Sequence, residues 1–152
     1  MKTKYIFIAI GLLISSLCFG QQKLFDHFAD MKGVSSVYIS PAMFDMIGSL
    51  NIDDIDLKKL SKIESINIVS TEQANIAAEM RKAFKNLVTS NHEELMRIRS
   101  DGKNITFNIK KKGNMIEEMV MLVDEQEKYV VIQILGLFTL KEIQEFAETG
   151  KQ

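Results

Sequence analysis

Apolar side chains return along this chain in two rhythms, and the changes between them mark its elements. Leu24, Phe25, Phe28 and Met31 recur at helical spacing and Gly33 stops the run, which predicts a short amphipathic helix. Val34 to Ile39 is rich in β-branched residues and predicts a strand. Ser40-Pro41 has the form of an N-cap followed by a first-turn proline, so a helix should run through Phe44 and Ile47 to Gly48. Asp54 or Asp56 is placed to cap a further turn carrying Leu57 and Leu60. Ile63 to Val69 alternates around Ile66 and Ile68, a second strand.

The clearest stripe lies between Glu72 and Val88. Ile76, Ala77, Met80, Ala83, Phe84, Leu87 and Val88 fall on one face of a helix. Ser70 and Gln73 have the spacing of a capping box, so the start of that helix is expected there. Its apolar face requires a receiver, because a helix of this length is marginal in water without packing.

The C-terminal half supplies one. Glu94 to Ser100 predicts a strand with Arg97 and Arg99 on one face and Met96 and Ile98 on the other. Asp101-Gly102 is a two-residue hairpin signal. Lys103 to Lys110 returns with Ile105, Phe107 and Ile109 alternating, and Lys111-Lys112-Gly113-Asn114 turns the chain again. Ile116 to Val123 and Tyr129 to Leu135 are apolar on both faces, as central strands covered on both sides would be. A last helix begins at Thr139 with a capping box closing at Glu142, and should bury Leu140, Ile143 and Phe146. These elements predict an α+β fold, an antiparallel sheet whose C-terminal-half four-strand meander packs against helices.

The N-terminus breaks the pattern. Lys2 and Lys4 precede the apolar run from Tyr5 to Ile14, and Ser15 and Ser16 follow it. That order predicts a secretory signal peptide over residues 1–20, ahead of a single domain over residues 21–152. The run falls short of the roughly 20 residues that span a bilayer. Cys18 and Gly20 make a small-x-small pattern, so cleavage is expected between Gly20 and Gln21. The alternative makes Cys18 the acylated residue of a lipoprotein, although Leu17 stands where a small residue is wanted. Periplasmic or extracellular localisation follows, with membrane association only if Cys18 is lipidated.

Composition then narrows the functions. The 152-residue chain has 19 basic and 20 acidic side chains, one Cys, one Pro and no Trp. Removing Lys2 and Lys4 leaves 17 basic against 20 acidic groups, a formal charge of −3, and removing Cys18 leaves no thiol. A mildly acidic domain has no general attraction for nucleic acid or anionic lipid. Without disulfides its stability must come from the core.

No assembled chemistry is visible. Nucleophile-elbow, phosphate-cradle and dinucleotide glycine patterns are absent. His92-Glu93-Glu94-Leu95-Met96 starts like a zinc-protease helix but has Met96 where the second His must stand, so His92 reads as a solvated loop residue. His27 reads as a surface residue of the first helix. Asn51, Asp53, Asp54 and Asp56 form the densest oxygen cluster, but Ile55 interrupts the spacing of a calcium loop and no turning Gly follows. Catalytic residues, metal ligands and cofactors are therefore all expected to be none. Lys110, Lys111 and Lys112 form a basic hairpin tip, a weak contact patch for phosphate or lipid headgroups. Met115, Met119 and Met121 lie close together and suit either core packing or an irregular apolar ligand.

The stretch from Phe28 through Gly33-Val34-Ser35-Ser36-Val37-Tyr38-Ile39-Ser40 to Met43, with the Ile66 strand, the Met80–Phe84 helix and the closing Ile134-Leu135-Gly136, resembles a known family. Its members are small exported or lipid-anchored proteins of Bacteroidota, classed as a domain of unknown function (DUF4252). The resemblance covers essentially the whole mature chain and implies the fold. It implies no activity, cofactor or catalytic residue. Some members look as if they accompany extracytoplasmic sigma-factor genes, which suggests an accessory protein of an envelope-stress system as one alternative. The leading expectation is a non-catalytic exported envelope protein that binds a protein or apolar partner. A periplasmic carrier of an apolar ligand is the other alternative, and an enzyme ranks behind both.

Overall fold

In the computed structural model, which describes residues 20–48, 62–142 and 144, the chain is organised around one antiparallel sheet. Helix α1 includes residues 20–29 and is followed by β1 (Val34–Ile39), α2 (Pro41–Gly48) and β2 (Ile63–Thr71). Helix α3 (Ala74–Ala83) runs into a 3-10 turn (Phe84–Asn86), and then come β3 (His92–Ser100), β4 (Lys103–Lys112), β5 (Met115–Asp124) and β6 (Tyr129–Phe138). The expected α+β class and the four-strand meander are both present: the sheet order is β1-β2-β6-β5-β4-β3. The meander is closed by β2 pairing with β6, so β1 and β3 are left as the edges.

Turn chemistry fixes the meander's register. Asp101 and Gly102 both take positive φ, 47° and 77°, as a two-residue primed turn between right-twisted strands requires. The next reversal is made by Gly113-Asn114 alone, with Lys111 and Lys112 still in β4. At the far end Gly136 has no room for a side chain, since a Cβ there would stand 2.3 Å from the Lys62 carbonyl oxygen.

Helices α1 and α3 cover one face of the sheet. Phe25, Phe28, Ile76, Ala77, Met80, Phe84 and Leu87 bury themselves against Val69, Val120, Tyr129 and Val131. Phe84 is fully buried, with its ring centroid 5.0 Å from Phe25 and 5.4 Å from Phe28. The α3 stripe therefore packs as its periodicity requires.

Four expectations need correction. The helix expected from Glu72 starts at Ala74, and the Ser70–Gln73 capping box does not form. Instead β2 runs on to Thr71, which pairs with Val34 and Tyr129, and Gln73 caps without a side-chain bond. Ladder hydrogen bonds on both sides of β2 hold Ser70 in the strand, and the Gln73 amide fills the space that a Cβ on Gly33 would need. Strands β5 and β6 are central, yet among the described residues α1 and α3 cover them on one face only, and their other face is largely half-buried apart from Ile116 and Phe138. His92 is no loop residue: it opens β3 with its side chain 2% exposed. Leu140 is exposed rather than buried, although the Thr139–Glu142 capping box forms as expected, with the Thr139 N–H donating to Glu142 Oε2 at 2.7 Å and the Glu142 N–H to Thr139 Oγ1 at 3.3 Å. Ile143 and Phe146 lie outside the residues whose side chains are described, as do Leu57, Leu60, Cys18 and the Asn51–Asp56 cluster.

Candidate functional site

Register divides the sheet into two chemically different faces. On the face away from α1 and α3, Val37 pairs with Ile68, Ile68 with Ile132, Ile132 with Met121, Met121 with Phe107 and Phe107 with Met96. That is an unbroken apolar row across every strand. Ile39, Ile66, Ile134 and Met119 form a second row beside it, running on to Ile109. The row ends are open, with Val37 50% and Met96 46% exposed, and its middle members are half-buried. Ile109 closes one end of the face, buried with Ile116 and Phe138.

The helix-covered face is the more polar one. Asn67 on β2, Gln133 on β6, Glu118 on β5 and Asn108 on β4 are all buried. Asn67, Gln133 and Glu118 form one bonded set, and Asn108 Nδ2 donates to Thr106 Oγ1 at 3.3 Å, as buried polar groups must find partners. Gln133 Nε2 donates to Glu118 Oε1 at 2.7 Å and to Gln21 Oε1 at 3.2 Å, while Asn67 Nδ2 donates to Gln133 Oε1 at 3.3 Å and to Gln22 Oε1 at 3.2 Å. His92 joins from β3, its Nε2 lying 3.2 Å from Glu118 Oε2. His92 and Glu118 flank Lys110 in one cross-strand row, which is why residues 26 apart in sequence meet.

An imidazole, a carboxylate and a hydroxyl thus converge, since Thr89 Oγ1 is 3.1 Å from His92 Nδ1. The connectivity limits the chemistry. The Thr89 backbone N–H donates to the same Nδ1 at 3.0 Å, so the ring's lone pair is engaged and Nε2 carries the proton toward Glu118. The Asn91 N–H also donates to Thr89 Oγ1, and the His92 N–H to the Thr89 carbonyl. These are the bonds of a turn that pins the start of β3. Two open surface depressions, of about 850 and 690 Å³, lie elsewhere, around Asp101–Lys103 with Glu125–Lys128 and around Gly33–Ser35 with Ser70–Gln73. Neither is lined by His92 or Glu118.

A second cluster clamps α3 to the β5–β6 turn. Arg81 donates from Nε and Nη2 to Asp124 Oδ1 at 2.9 and 2.7 Å and from Nη2 to the Glu125 carbonyl at 3.1 Å. Its guanidinium also lies 5.4 Å from the centre of the Tyr129 ring. The Asp124 bond raises the Arg81 pKa. Burial, reinforced by the Asp124 charge, pushes the Tyr129 phenol up to about 12. Glu142 is held below the usual carboxylate range, first by the Lys62 ammonium and then by the Thr139 N–H.

The residues singled out in the sequence do not converge. Gly20 and Gln21 lie in α1, where Gln21 reaches Gln133. Of the basic tip, Lys110 pairs with Glu117 at 3.1 Å and Lys111 with Glu93 at 2.7 Å, leaving Lys112 as its unpaired cation among the described residues. His27 is exposed and edge-on to Phe28. Among the described residues no group of three or more His, Cys, Asp or Glu side chains is arranged to hold a metal ion, and no helix is long and apolar enough to cross a membrane. The buried polar row went unread in the sequence, although its signal is there: Asn67, Glu118 and Gln133 are polar residues at inward positions of apolar strands.

Neither the curated proteins nor the solved structures yield a match to this chain. One family model does match, over residues 27–146, which takes in β1 to β6 and the start of the last helix. On that span the chain belongs to the DUF4252 family, a domain of unknown function.

Proposed function

We propose that the chain is a non-catalytic exported envelope protein that acts by binding a protein or apolar partner across the open face of its sheet. The observation that carries this reading is the Val37–Ile68–Ile132–Met121–Phe107–Met96 row. Soluble domains normally turn their most apolar sheet face toward their helices and keep large contiguous apolar patches out of water. Here the helix-covered face carries Asn67, Gln133, Glu118 and Asn108, and the opposite face carries the isoleucines and methionines. Export rests on the Lys2–Gly20 segment, which lies outside the described residues but for Gly20.

The methionines favour a second reading, a carrier of an apolar ligand. Met96, Met119 and Met121 share the open face, and their unbranched, polarisable side chains adapt to irregular apolar shapes.

Titration with an environment-sensitive apolar dye tests the surface. The folded protein should brighten the dye, and a Met96→Lys, Phe107→Asn double variant that keeps its far-ultraviolet circular dichroism should lose most of that signal. A folded wild type that leaves the dye dark, or a folded variant as bright as wild type, would sink the proposal. Native mass spectrometry of protein taken directly from cells separates the two readings, because a carrier retains added mass.

A further inference from the structure

The two edges of the sheet are built differently. Edge strands invite pairing with other chains, and proteins protect them with charges, prolines and bulges. Strand β3 is protected in that way: it carries Glu93, Glu94, Arg97 and Arg99, and its register slips between Glu94 and Met96. Pairing of its regular half with a copy of itself would set Arg97 against Arg99. Strand β1 has no such guard. Its six residues, Val-Ser-Ser-Val-Tyr-Ile, contain no charge and no proline, and they pair with β2 from Val34 to Ile39 without a slip. Nothing among the described residues pairs with its outer side, and Val37 and Tyr38 are 50% and 57% exposed.

We infer that the outer edge of β1 pairs antiparallel with β1 of a second copy of this chain, about a two-fold axis at Val37, to make one continuous sheet. The choice of a second copy as occupant rests on the absence of charge from β1 and on the apolar row that Val37 ends. A two-fold axis normal to an antiparallel pair sets the axial residue opposite itself and its neighbours opposite each other, so the surface must complement itself. An uncharged strand does so in every register. With the axis at Val37, a β-branched pair forms at the centre, Ser36 faces Tyr38 and Ser35 faces Ile39, a set of cross-strand contacts free of like charges. Val37 also ends the apolar row of the open face, so that row continues into the second copy. Six residues per strand bury less than the about 800 Å² per partner of a standard interface, so the dimer forms at high concentration and dissociates on dilution.

Sedimentation velocity over a concentration series of protein recovered from expressing cells tests this. Wild type should pass from monomer to dimer. Val37→Lys, an exposed position where the fold is checked by circular dichroism, should stay monomeric, and Ile98→Lys on β3 should dimerise like wild type. Val37→Cys, with Cys18→Ser where the leader is retained, should give a reducible dimer on oxidation, whereas Ser35→Cys should not, because its copy lies beyond disulfide reach. A wild type monomeric at every concentration, a dimer abolished by Ile98→Lys but not Val37→Lys, or equal cross-linking at 35 and 37 would each overturn the inference. It does not rest on the proposed binding function: a monomer that still brightens the dye defeats the dimer alone.

Discussion

His92 Nε2 sits 3.2 Å from Glu118 Oε2, with the two side chains 2% and 6% exposed. The other oxygen of the same carboxylate accepts from Gln133 at 2.7 Å. Glu118 therefore ties β3 to β6 through acceptors at both ends of one group. A glutamine there has a single acceptor oxygen, and its amide nitrogen would oppose a donor. Glu118→Gln should cost about 1–3 kcal/mol, the penalty for one buried donor left without a partner. Urea unfolding should show a lower midpoint at unchanged slope; an unchanged midpoint would mean that water reaches the pair.

Phe84 anchors the apolar cluster of the covered face. It is fully buried between Phe25, Phe28 and the sheet, and it lies where α3 gives way to the 3-10 turn. Phe84→Ala opens a cavity that α1 and α3 must both collapse to fill, and should cost about 3–5 kcal/mol. Stability is about 5–15 kcal/mol for a domain, so a clear fall in melting temperature is expected. A variant that melts with wild type would place the helix face wrongly.

These two sites differ in how far the sequence announces them. Phe84 belongs to a stripe whose rhythm alone assigns it to the core, as Gly33, Ser40 and Pro41 alone punctuate β1 and α2. Asp101-Gly102 likewise specifies its turn locally. The His92–Glu118 pair depends on strand order instead. His92 follows Asn91 and precedes two exposed acids, and only the adjacency of β3, β4 and β5 buries it. The same holds for the apolar row. Alternation shows that each strand has an apolar side, but the sheet order and the placement of α1 and α3 decide that those sides share the one face that neither helix covers. Local propensity failed at Ser70 for the matching reason: a capping box is worth less there than ladder bonds to two neighbouring strands.

Glu142 makes the domain sensitive to acid at one corner. Its folded pKa is lowered, first by the Lys62 ammonium and then by the Thr139 N–H that it caps. A lowered carboxylate pKa contributes stability that is complete above the unfolded value, near 4.5, and is lost as pH falls through the lower folded value. Glu142→Gln should therefore melt below wild type at neutral pH, and the gap should narrow below about pH 4. A gap that is constant from neutral to acid pH would assign the effect to packing.

Tyr129 gives the converse response in alkali. Its phenol is buried against α3 beside Asp124, and both the burial and that negative charge oppose ionisation, raising its pKa from 10.0 to about 12. The Arg81 guanidinium near its ring acts in the opposite sense, more weakly. An unfolded chain releases this proton near pH 10 while the folded chain still holds it. Stability from this group is thus complete below about pH 10 and drains away as pH rises toward about 12. Urea midpoints measured between pH 9 and about pH 12 should fall for wild type, and Tyr129→Phe, which lacks the ionisable oxygen, should fall by less over the same range. Asp124→Asn provides the control. Removing that charge lets Tyr129 ionise at lower pH and also frees Arg81 from its anchor, so this variant should be weaker at every pH. Equal alkaline slopes in wild type and Tyr129→Phe would show that the phenol reaches water in the folded chain.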